Sequence, residues 1–270
     1  MLVQLIPDLL ALAKKVTAAV LSIYNAQASA SHDLKADGSP LTEADMRAHQ
    51  LIHDCLRTLT PDVPILSEES CDVPFSIRKD WQRYWLVDPI DGTKEFLAKN
   101  GEFTINIALV DGHHPVLAII AVPTTHTIYY ATQGQGAWKL TGEICTALSV
   151  QPYDARQALR VVASRSHGAH AIERLNGHYA DIELMRCGSS LKFCLLAEGL
   201  ADFYPRLGPT SEWDTAAAQC ILEQAGGVVI DLQGKRLGYN TKASYLNPYF
   251  LAAADKSIAW QEFFAHANQN

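Results

Sequence analysis

Residues 84–96 place a hydrophobic strand and an acidic turn next to each other. The stretch begins with the run Tyr-Trp-Leu-Val, which predicts a buried strand. We expect this strand to end on Asp88, because Pro89 has no N–H to donate to a neighbouring strand. Asp91 and the glycine after it are typical of a turn. Since open α/β sheets bind ligands at strand ends, the stretch predicts a rigid tip that presents Asp88, Asp91 and the hydroxyl of Thr93.

Carboxylates crowded at such a tip repel one another unless a cation neutralises them. Mg²⁺ is the simplest candidate, because it is a hard cation that prefers oxygen ligands. The alternative is an acidic surface turn, since Asp-Gly turns are common. Two further acids bear on this choice: Glu68 follows a short strand predicted at 64–67, and Asp214 lies where a helix is predicted to begin.

Each of these further acids also has a purely structural interpretation. Glu68 suits the start of a helix, where the helix dipole favours acids, and Asp214 suits a helix N-cap. Together with Asp88 and Asp91 they match a two-metal phosphatase site, in which ions about 3.5–4 Å apart bridge a phosphate and activate a water. Mg²⁺ usually takes one or two carboxylates per ion, so these acids are about the supply that such a site needs.

Asp45 has two interpretations as well. Thr42 and Asp45 have the spacing of a helix-capping pattern at the start of a predicted helix. Taken alone, Asp45 is best explained in this way. Beside a metal site, Asp45 and Thr93 would instead form a carboxylate–hydroxyl pair that orients and deprotonates the attacking water.

A second group of polar residues follows strand ends or opens a helix in the C-terminal half. It consists of Ser166, His167, Ser189, Ser190, Lys192 and Arg206. Residues 188–190 precede a predicted helix and can hold an anion with backbone N–H groups. Lys192 and Arg206 add positive charge, and arginine grips phosphate with two parallel bonds. Each residue alone is equally well explained as a solvated side chain, but together, in a chain of net charge −7, they predict a second phosphate subsite.

Composition excludes several other classes of protein. Hydrophobic residues make up 48% of the 270 residues, which argues against disorder, and the net charge of −7 argues against binding a nucleic-acid polymer. No run of about twenty apolar residues predicts a transmembrane segment. The six cysteines contain no Cys-x-x-Cys pair, so we expect buried, reduced thiols and a cytoplasmic location.

The order of predicted elements indicates an α/β protein with an α+β N-terminal half. Two amphipathic helices and a meander of strands are predicted before residue 141, and strands alternate with helices after residue 158. Residues 70–80 are predicted to be a polar loop. We expect a sub-domain at 1–150 with most of the metal ligands, and a second at 151–270 with the residues of the second phosphate subsite and Asp214.

The ordered set of motifs resembles the metal-binding signatures of the inositol monophosphatase superfamily. The motifs are Glu68-Glu69, Asp88-Pro-Ile-Asp91-Gly-Thr93 and Trp213-Asp214-Thr-Ala-Ala. Within that superfamily the chain is most similar to the bacterial 3′(2′),5′-bisphosphate nucleotidases, over nearly its whole length. That likeness runs through 37–45, 67–69, 81–96, 100–106, 164–167, 188–194 and 203 onward. The resemblance implies a layered αβαβα sandwich of the inositol monophosphatase and fructose-1,6-bisphosphatase type.

The resemblance also implies roles for individual residues. It implies one Mg²⁺ on Glu68, Asp88 and the carbonyl of Ile90, a second on Asp88, Asp91 and Asp214, and leaves open a third, weaker ion near Glu68. Asp45 and Thr93 match the water-activating pair. The positions that match substrate-binding residues are Glu68, Ile90, Asp91, Gly92, Thr93, Ser166, His167, Ser189, Lys192, Arg206 and Asp214.

The implied substrate is a small nucleotide, adenosine 3′,5′-bisphosphate, which would be cleaved to AMP and phosphate during sulfate assimilation. Its sulfated form, 3′-phosphoadenylyl sulfate, is the implied second substrate, and inhibition by Li⁺ is implied as well. Some members of the group are described as peripheral on the cytoplasmic face of the inner membrane. Two alternatives remain: an inositol or sugar phosphate phosphatase of the same superfamily, and a phosphate-nucleotide binding protein that has lost catalysis. No sequence feature specifies an oligomeric state.

Overall fold

A seven-stranded sheet follows two N-terminal helices. The computed structural model describes residues 2–26, 33–34, 40–164, 175, 179 and 181–264. After a 3₁₀ turn at Leu2–Leu5 come the helices α1 (Ile6–Ala26) and α2 (Glu43–Leu59). A two-stranded ladder, β1 (Asp33–Leu34) with β2 (Pro40–Leu41), lies between them. The strands of the large sheet, in spatial order, are β3 (Ile65–Ser67), β4 (Arg83–Asp91), β5 (Thr104–Asp111), β6 (His114–Val122), β7 (Thr127–Thr132), β8 (Ala137–Thr141) and β9 (Ile144–Leu148). Only β3 and β4 pair in parallel.

A five-stranded sheet forms the C-terminal half. Its strands are β10 (Leu159–Ala163), β11 (Ile182–Arg186), β12 (Phe203–Arg206), β13 (Val228–Asp231) and β14 (Phe250–Ala253), in the spatial order β11-β10-β12-β14-β13. β10 pairs in parallel with β11 and β12, while β14 pairs antiparallel with β12 and β13. The remaining helices are α3 (Phe75–Arg78), α4 (Thr93–Leu97), α5 (Leu191–Ala197), α6 (Glu212–Gln224) and two 3₁₀ segments, Pro123–Thr125 and Trp260–Phe264.

Three hydrophobic clusters connect these elements into layers. α1 and α2 pack on one face of the large sheet, with Val16, Ile52 and Ile107 in the shared core. α5 and α6 fill the space between the two sheets. On the far face of the small sheet, Phe203 and Leu251 pack with Trp260 of the last 3₁₀ segment. Two sheets with helical layers on and between them confirm the predicted αβαβα architecture.

The prediction that the strand ends on Asp88 is wrong. β4 continues through Pro89 to Asp91, and its register against β5 shifts between two pairs, Asp88 with Asn106 and Asp91 with Thr104. One strand therefore carries an extra residue at this point, which defines a β-bulge. Bulges tolerate proline and change the direction of side chains, so the strand delivers both acids without ending between them.

Other predictions needed smaller corrections. Residues 70–80, predicted to be a loop, contain the short helix α3, and residues 141–158, for which no element was predicted, contain the edge strand β9. The six cysteines are free thiols, but Cys145 is exposed, so the prediction that all are buried is wrong. Strands of the large sheet end at Leu148 and strands of the small sheet begin at Leu159; the domain division at residue 150 stays a prediction. Within the described residues, no helix combines the length and apolarity needed to cross a bilayer.

Candidate active site

Three carboxylates converge at the end of β4. Asp88 and Asp91 come from the bulged end of that strand, and Asp214 comes from the first turn of α6. One oxygen of each lies within 4.8 Å of the others. In the described part of the chain, this is the one group of acidic, histidine or cysteine side chains with the spacing of a metal site. The sequence prediction that these three acids meet is therefore correct in geometry.

The carboxylates also have the electrostatics of a cation site. Burial raises the pKa of Asp88 well above its ordinary value, and the negative charges of Glu68, Asp91 and Asp214 raise it further. Burial and the charge of Asp91 raise the pKa of Asp214 to about 8. Asp88 is 1% exposed, and its Oδ1 atom has no hydrogen-bond partner. A buried, unpartnered carboxylate oxygen beside other acids is the donor set that Mg²⁺ requires, so the residues fit the ion.

Glu68 lies beside the three aspartates but is not a member of the group whose oxygens all lie within 4.8 Å of one another. It follows β3 directly, and its backbone N–H donates to the Val87 carbonyl at 3.0 Å. Its side chain hydrogen-bonds to Asp88. Glu68 and Ile90 line the same cavity as the three aspartates. The structure therefore brings the predicted ligands of both metals to one cavity.

Asp214 is the third residue of α6 and not its N-cap. Ser211 is the N-cap, and its backbone N–H donates to Asp214 Oδ2 at 2.9 Å in a capping box. The alternative interpretation of Asp214 as a helix-capping residue was therefore correct, but the N-cap itself is Ser211 and not Asp214. The cap fixes the orientation of the Asp214 carboxylate, because one of its oxygens is held by the helix start.

Asp91 is held by the segment 188–190. Its Oδ2 accepts hydrogen bonds from Ser189 Oγ at 2.7 Å, Ser190 N at 2.7 Å and Ser190 Oγ at 2.9 Å. The N–H of Gly188 donates to Glu102 Oε2 at 2.9 Å. The backbone N–H groups of Gly188 and Ser190 thus bind carboxylates of the chain itself, which corrects the expectation that they hold a substrate anion.

Thr93 lies directly after the acidic turn. Gly92, with φ of +92°, caps α4, and a Cβ there would lie 3.2 Å from the Glu102 carbonyl, so the turn requires glycine. Thr93 opens the helix, and its hydroxyl lies 3.4 Å from the carbonyl oxygen of Ile90. The hydroxyl therefore lies within the predicted metal site.

Asp45 adopts the capping arrangement that the sequence indicated. It is fully buried, and its Oδ2 accepts from Thr42 N at 2.8 Å and Thr42 Oγ1 at 2.5 Å. Residues of α4 lie against Pro40–Leu41, the strand that leads into α2. The backbone therefore places α4, the helix that Thr93 opens, beside the strand that leads into α2, while the water-activating role of Asp45 stays a prediction.

A second cavity adjoins the one that contains the carboxylates. Both cavities are lined by Asp91, Gly92, Lys94, Glu95, Thr210 and Asp214. The second is also lined by Ser189, Lys192 and Arg206, three of the predicted nucleotide-binding residues. The remaining two, Ser166 and His167, lie outside the described residues.

Lys192 and Arg206, which line this cavity together with Lys94, donate to backbone carbonyls. Lys192 is 5% exposed, and its Nζ donates to Ser189 O at 2.6 Å and lies 5.3 Å from the Tyr204 ring centre. Arg206 donates through Nη2 to Pro209 O at 2.7 Å. Both keep positive charge at the wall of the second cavity, which Asp91, Glu95 and Asp214 also line.

Sequence reasoning missed Asn106 and Thr104. Asn106 Nδ2 lies 2.9 Å from Ser190 Oγ and 3.4 Å from Asp91 Oδ2, and Thr104 Oγ1 lies 2.6 Å from Ser189 Oγ. The available signal was the presence of two polar residues inside the otherwise hydrophobic strand β5. Their partners could not be found without the register of β5 against the bulged end of β4.

The fold and the acidic centre are those of a phosphatase of the layered αβαβα class. The sequence profile of the inositol monophosphatase family matches residues 2–269, and the chain belongs to this family. This confirms the predicted resemblance and the expectation of an enzyme from a phosphatase family.

Individual relatives show which members of the family the chain resembles. The chain is 48% identical to the 3′(2′),5′-bisphosphate nucleotidase CysQ of Escherichia coli, over 88% of this chain and 95% of that protein. It is 37% identical to the CysQ nucleotidase of Aggregatibacter actinomycetemcomitans, over 98% of both chains. Among solved structures, CysQ from Bacteroides thetaiotaomicron superposes with a TM-score of 0.79 at 40% identity, covering 91% of this chain and 95% of that chain.

Proposed function

We propose that this protein is a Mg²⁺-dependent phosphatase that hydrolyses adenosine 3′,5′-bisphosphate to AMP and phosphate, and also removes the 3′-phosphate of 3′-phosphoadenylyl sulfate. The observation that carries the proposal is the convergence of Asp88, Asp91 and Asp214 within 4.8 Å beside a second, cation-lined cavity. One cavity suits the phosphate that is cleaved, and the other suits the phosphate that remains. The similarity to proteins named 3′(2′),5′-bisphosphate nucleotidase supports this substrate class and a role in sulfate assimilation.

Two Mg²⁺ ions would be held by Glu68, Asp88 and the Ile90 carbonyl, and by Asp88, Asp91 and Asp214. When bound, such ions neutralise the phosphate, lower the pKa of water and stabilise the leaving oxygen. A third ion near Glu68 would find an acid that already contacts Asp88. The free thiols of the chain fit a reducing compartment such as the cytoplasm.

Side chains of the protein itself would orient and deprotonate the attacking water. Thr93 orients the attacking water, and Asp45 takes its proton, which together suit general-base catalysis. The water adds to phosphorus, the bond between phosphorus and the 3′ oxygen breaks, the 3′ oxygen keeps the bonding electron pair and takes a proton from solvent water, and no phosphoenzyme forms. The position of Thr93 beside Ile90 and of α4 beside Pro40–Leu41 supports this pairing.

Charge explains why a bisphosphate would need the second cavity. Each phosphate monoester carries about −1.5 to −2 charges at pH 7. Two Mg²⁺ ions would contact the phosphate that is cleaved, so a second phosphate at another position needs positive charge of its own. Lys192 and Arg206 supply positive charge on that side. An inositol or sugar monophosphate has no such requirement, so this cavity favours the bisphosphate over the alternative substrates.

The experiment is phosphate release from adenosine 3′,5′-bisphosphate and from inositol 1-phosphate, side by side. Each is measured with Mg²⁺, with a chelator, and with Mg²⁺ plus Li⁺. We expect a large preference for the nucleotide that the chelator abolishes and Li⁺ reduces. Preference for inositol 1-phosphate would support the sugar phosphatase alternative, and nucleotide binding without release from either compound would support an inactive binding protein.

A further inference from the structure

Asp91 occupies an unusual position among the three carboxylates, because one of its oxygens accepts four hydrogen bonds. The donors to Oδ2 are Ser189 Oγ, Ser190 N, Ser190 Oγ and Asn106 Nδ2, at 2.7, 2.7, 2.9 and 3.4 Å. None of these donors comes from the strand that carries Asp91. The oxygen Oδ2 is therefore saturated, and Oδ1 is the oxygen left to bind a cation.

Ser190 also connects two of the carboxylates to each other. Besides its contacts with Asp91, its Oγ lies 3.0 Å from the backbone carbonyl of Asp214. Asn106 holds the same hydroxyl from β5 at 2.9 Å. Ser190 is 2% exposed and Asn106 is 1% exposed, so water competes little for these bonds. A single buried hydroxyl therefore lies between an acid of the large sheet and an acid of α6.

The backbone at Ser189 indicates that this arrangement has a conformational cost. Ser189 has φ of +52°, a left-handed conformation that non-glycine residues rarely adopt. Glycine would be the unstrained choice, but it has no hydroxyl to donate to Asp91. Strained backbone at a site is accepted where the side chain it delivers is needed.

We infer that Ser189, Ser190 and Asn106 are positioning residues that fix the Asp91 carboxylate for metal binding. The inference rests on the proposed metal-dependent function, and it assigns the Ser189 hydroxyl to Asp91 and not to the nucleotide. Residues that hydrogen-bond to a metal ligand without touching the metal typically change the metal affinity about 10–100-fold when they are removed. These three residues act through Asp91 and need no contact with substrate.

The test measures binding of Mn²⁺ alone to chelator-treated protein by titration calorimetry, without substrate. Ser190→Ala is expected to weaken Mn²⁺ binding about 10–100-fold. Ser257→Ala is the matched control, because Ser257 donates its N–H and Oγ to Asp255 Oδ1 at 2.8 and 2.6 Å far from the site. Ser257→Ala should bind Mn²⁺ like the wild type.

Two further variants separate positioning from a general loss of structure. Ser189→Gly removes the hydroxyl while it relieves the left-handed backbone, so Mn²⁺ affinity should fall while the melting temperature of the metal-free protein stays near that of the wild type. If Ser190→Ala does not fold, Asn106→Ala carries the same measurement. In turnover, rising Mg²⁺ should restore kcat of Ser190→Ala towards the wild type, with KM for the nucleotide unchanged.

A double variant decides whether the effect passes through Asp91. Asp91→Asn with Ser190→Ala should bind Mn²⁺ no more weakly than Asp91→Asn alone. Wild-type Mn²⁺ affinity in Ser190→Ala, fully additive losses in the double variant, or no Mn²⁺ binding by the wild type would overturn the inference. Wild-type protein that binds Mn²⁺ with the expected variant effects, yet releases no phosphate, would overturn the proposed function while the inference stands.

Discussion

The hydroxyl of Thr93 lies 3.4 Å from the carbonyl oxygen of Ile90, so the proposed water-orienting group and a proposed metal ligand are neighbours. Gly92 makes this possible, because its left-handed backbone turns the chain from the end of β4 into α4 within one residue. The hydroxyl and the carbonyl therefore belong to one continuous turn at the end of the strand that carries Asp91.

Removal of the Thr93 hydroxyl should reduce turnover without weakening substrate binding. Thr93→Val keeps the shape of the side chain but cannot orient water, and we expect kcat to fall by about 10²–10⁴-fold, as is typical for loss of general acid–base help. Thr93→Ser should retain most of kcat. Steady-state phosphate release at saturating Mg²⁺ measures both. Equal kcat for Val and Ser variants would contradict the role of the hydroxyl.

The metal-free protein should lose stability as pH rises. The ordinary pKa of Asp214 is 3.8 and its folded-state pKa is about 8, so the folded state holds a proton that the unfolded state has released. The stability that this group contributes is therefore fully present below about pH 4 and is lost as pH rises through about 8. In chelator, Asp214→Asn should raise the melting temperature at pH 8 and leave it nearly unchanged at pH 4.

The exposed acid Asp62 provides the control for that measurement. Asp62→Asn should show the wild-type pH dependence in chelator. Mg²⁺ should reverse the trend in the wild type, because the carboxylates must lose their protons to bind it and its affinity therefore rises with pH. A melting temperature of Asp214→Asn that falls with pH as steeply as in the wild type would refute the assignment to Asp214.

The small sheet should depend on a buried ion pair. Asp202 is 2% exposed and accepts from Arg160 N, Nε and Nη2 at 2.8, 3.1 and 2.6 Å. Asp202→Ala would leave the Arg160 guanidinium, which is 29% exposed, without its carboxylate partner, and we expect a loss of about 1–3 kcal/mol in the free energy of unfolding. Urea denaturation measures this loss. Asp154→Ala, which breaks an exposed pair with Arg156, should leave that free energy close to the wild-type value.

Arg206 should discriminate between substrates. It lines the second cavity, where the phosphate that is not cleaved would lie. Arg206→Ala should raise KM about tenfold or more for adenosine 3′,5′-bisphosphate, by loss of a charge-assisted contact, and hardly change KM for a sugar monophosphate. The exposed Arg156 gives a control variant, Arg156→Ala. Equal increases in KM for both substrates would favour the sugar phosphatase alternative.

Local patterns were sufficient for much of the fold and for the acids of the site. Apolar spacing predicted α1, and the capping pattern predicted the start of α2. The ordered acids from Glu68 to Asp214 predicted a shared metal site because each lies next to a strand end or a helix start. The predicted end of β4 was wrong because proline usually ends strand pairing. The bulge that continues the strand is a property of two strands together, so one segment alone does not predict it.

The hydrogen bonds that hold the site residues in place could not be predicted from the sequence. The contact of Ser190 with Asp91 joins residues 99 positions apart, and that of Asn106 with Ser190 joins residues 84 positions apart. The Gly-Ser-Ser segment binds carboxylates of the chain itself, and not the substrate anion that local chemistry predicted. Which anion it binds depends on how the large sheet meets α5, and the sequence does not specify that packing locally.

The most direct test of the account compares Asp91→Asn with Asp62→Asn in phosphate release from adenosine 3′,5′-bisphosphate at saturating Mg²⁺. Both variants remove one negative charge, but only Asp91 belongs to the group within 4.8 Å. We predict that Asp91→Asn loses about 10²–10³-fold or more in kcat, because transition-state charge depends on the metal that it holds, while Asp62→Asn keeps the wild-type rate. Wild-type turnover by Asp91→Asn would contradict the metal site on which the proposed function depends.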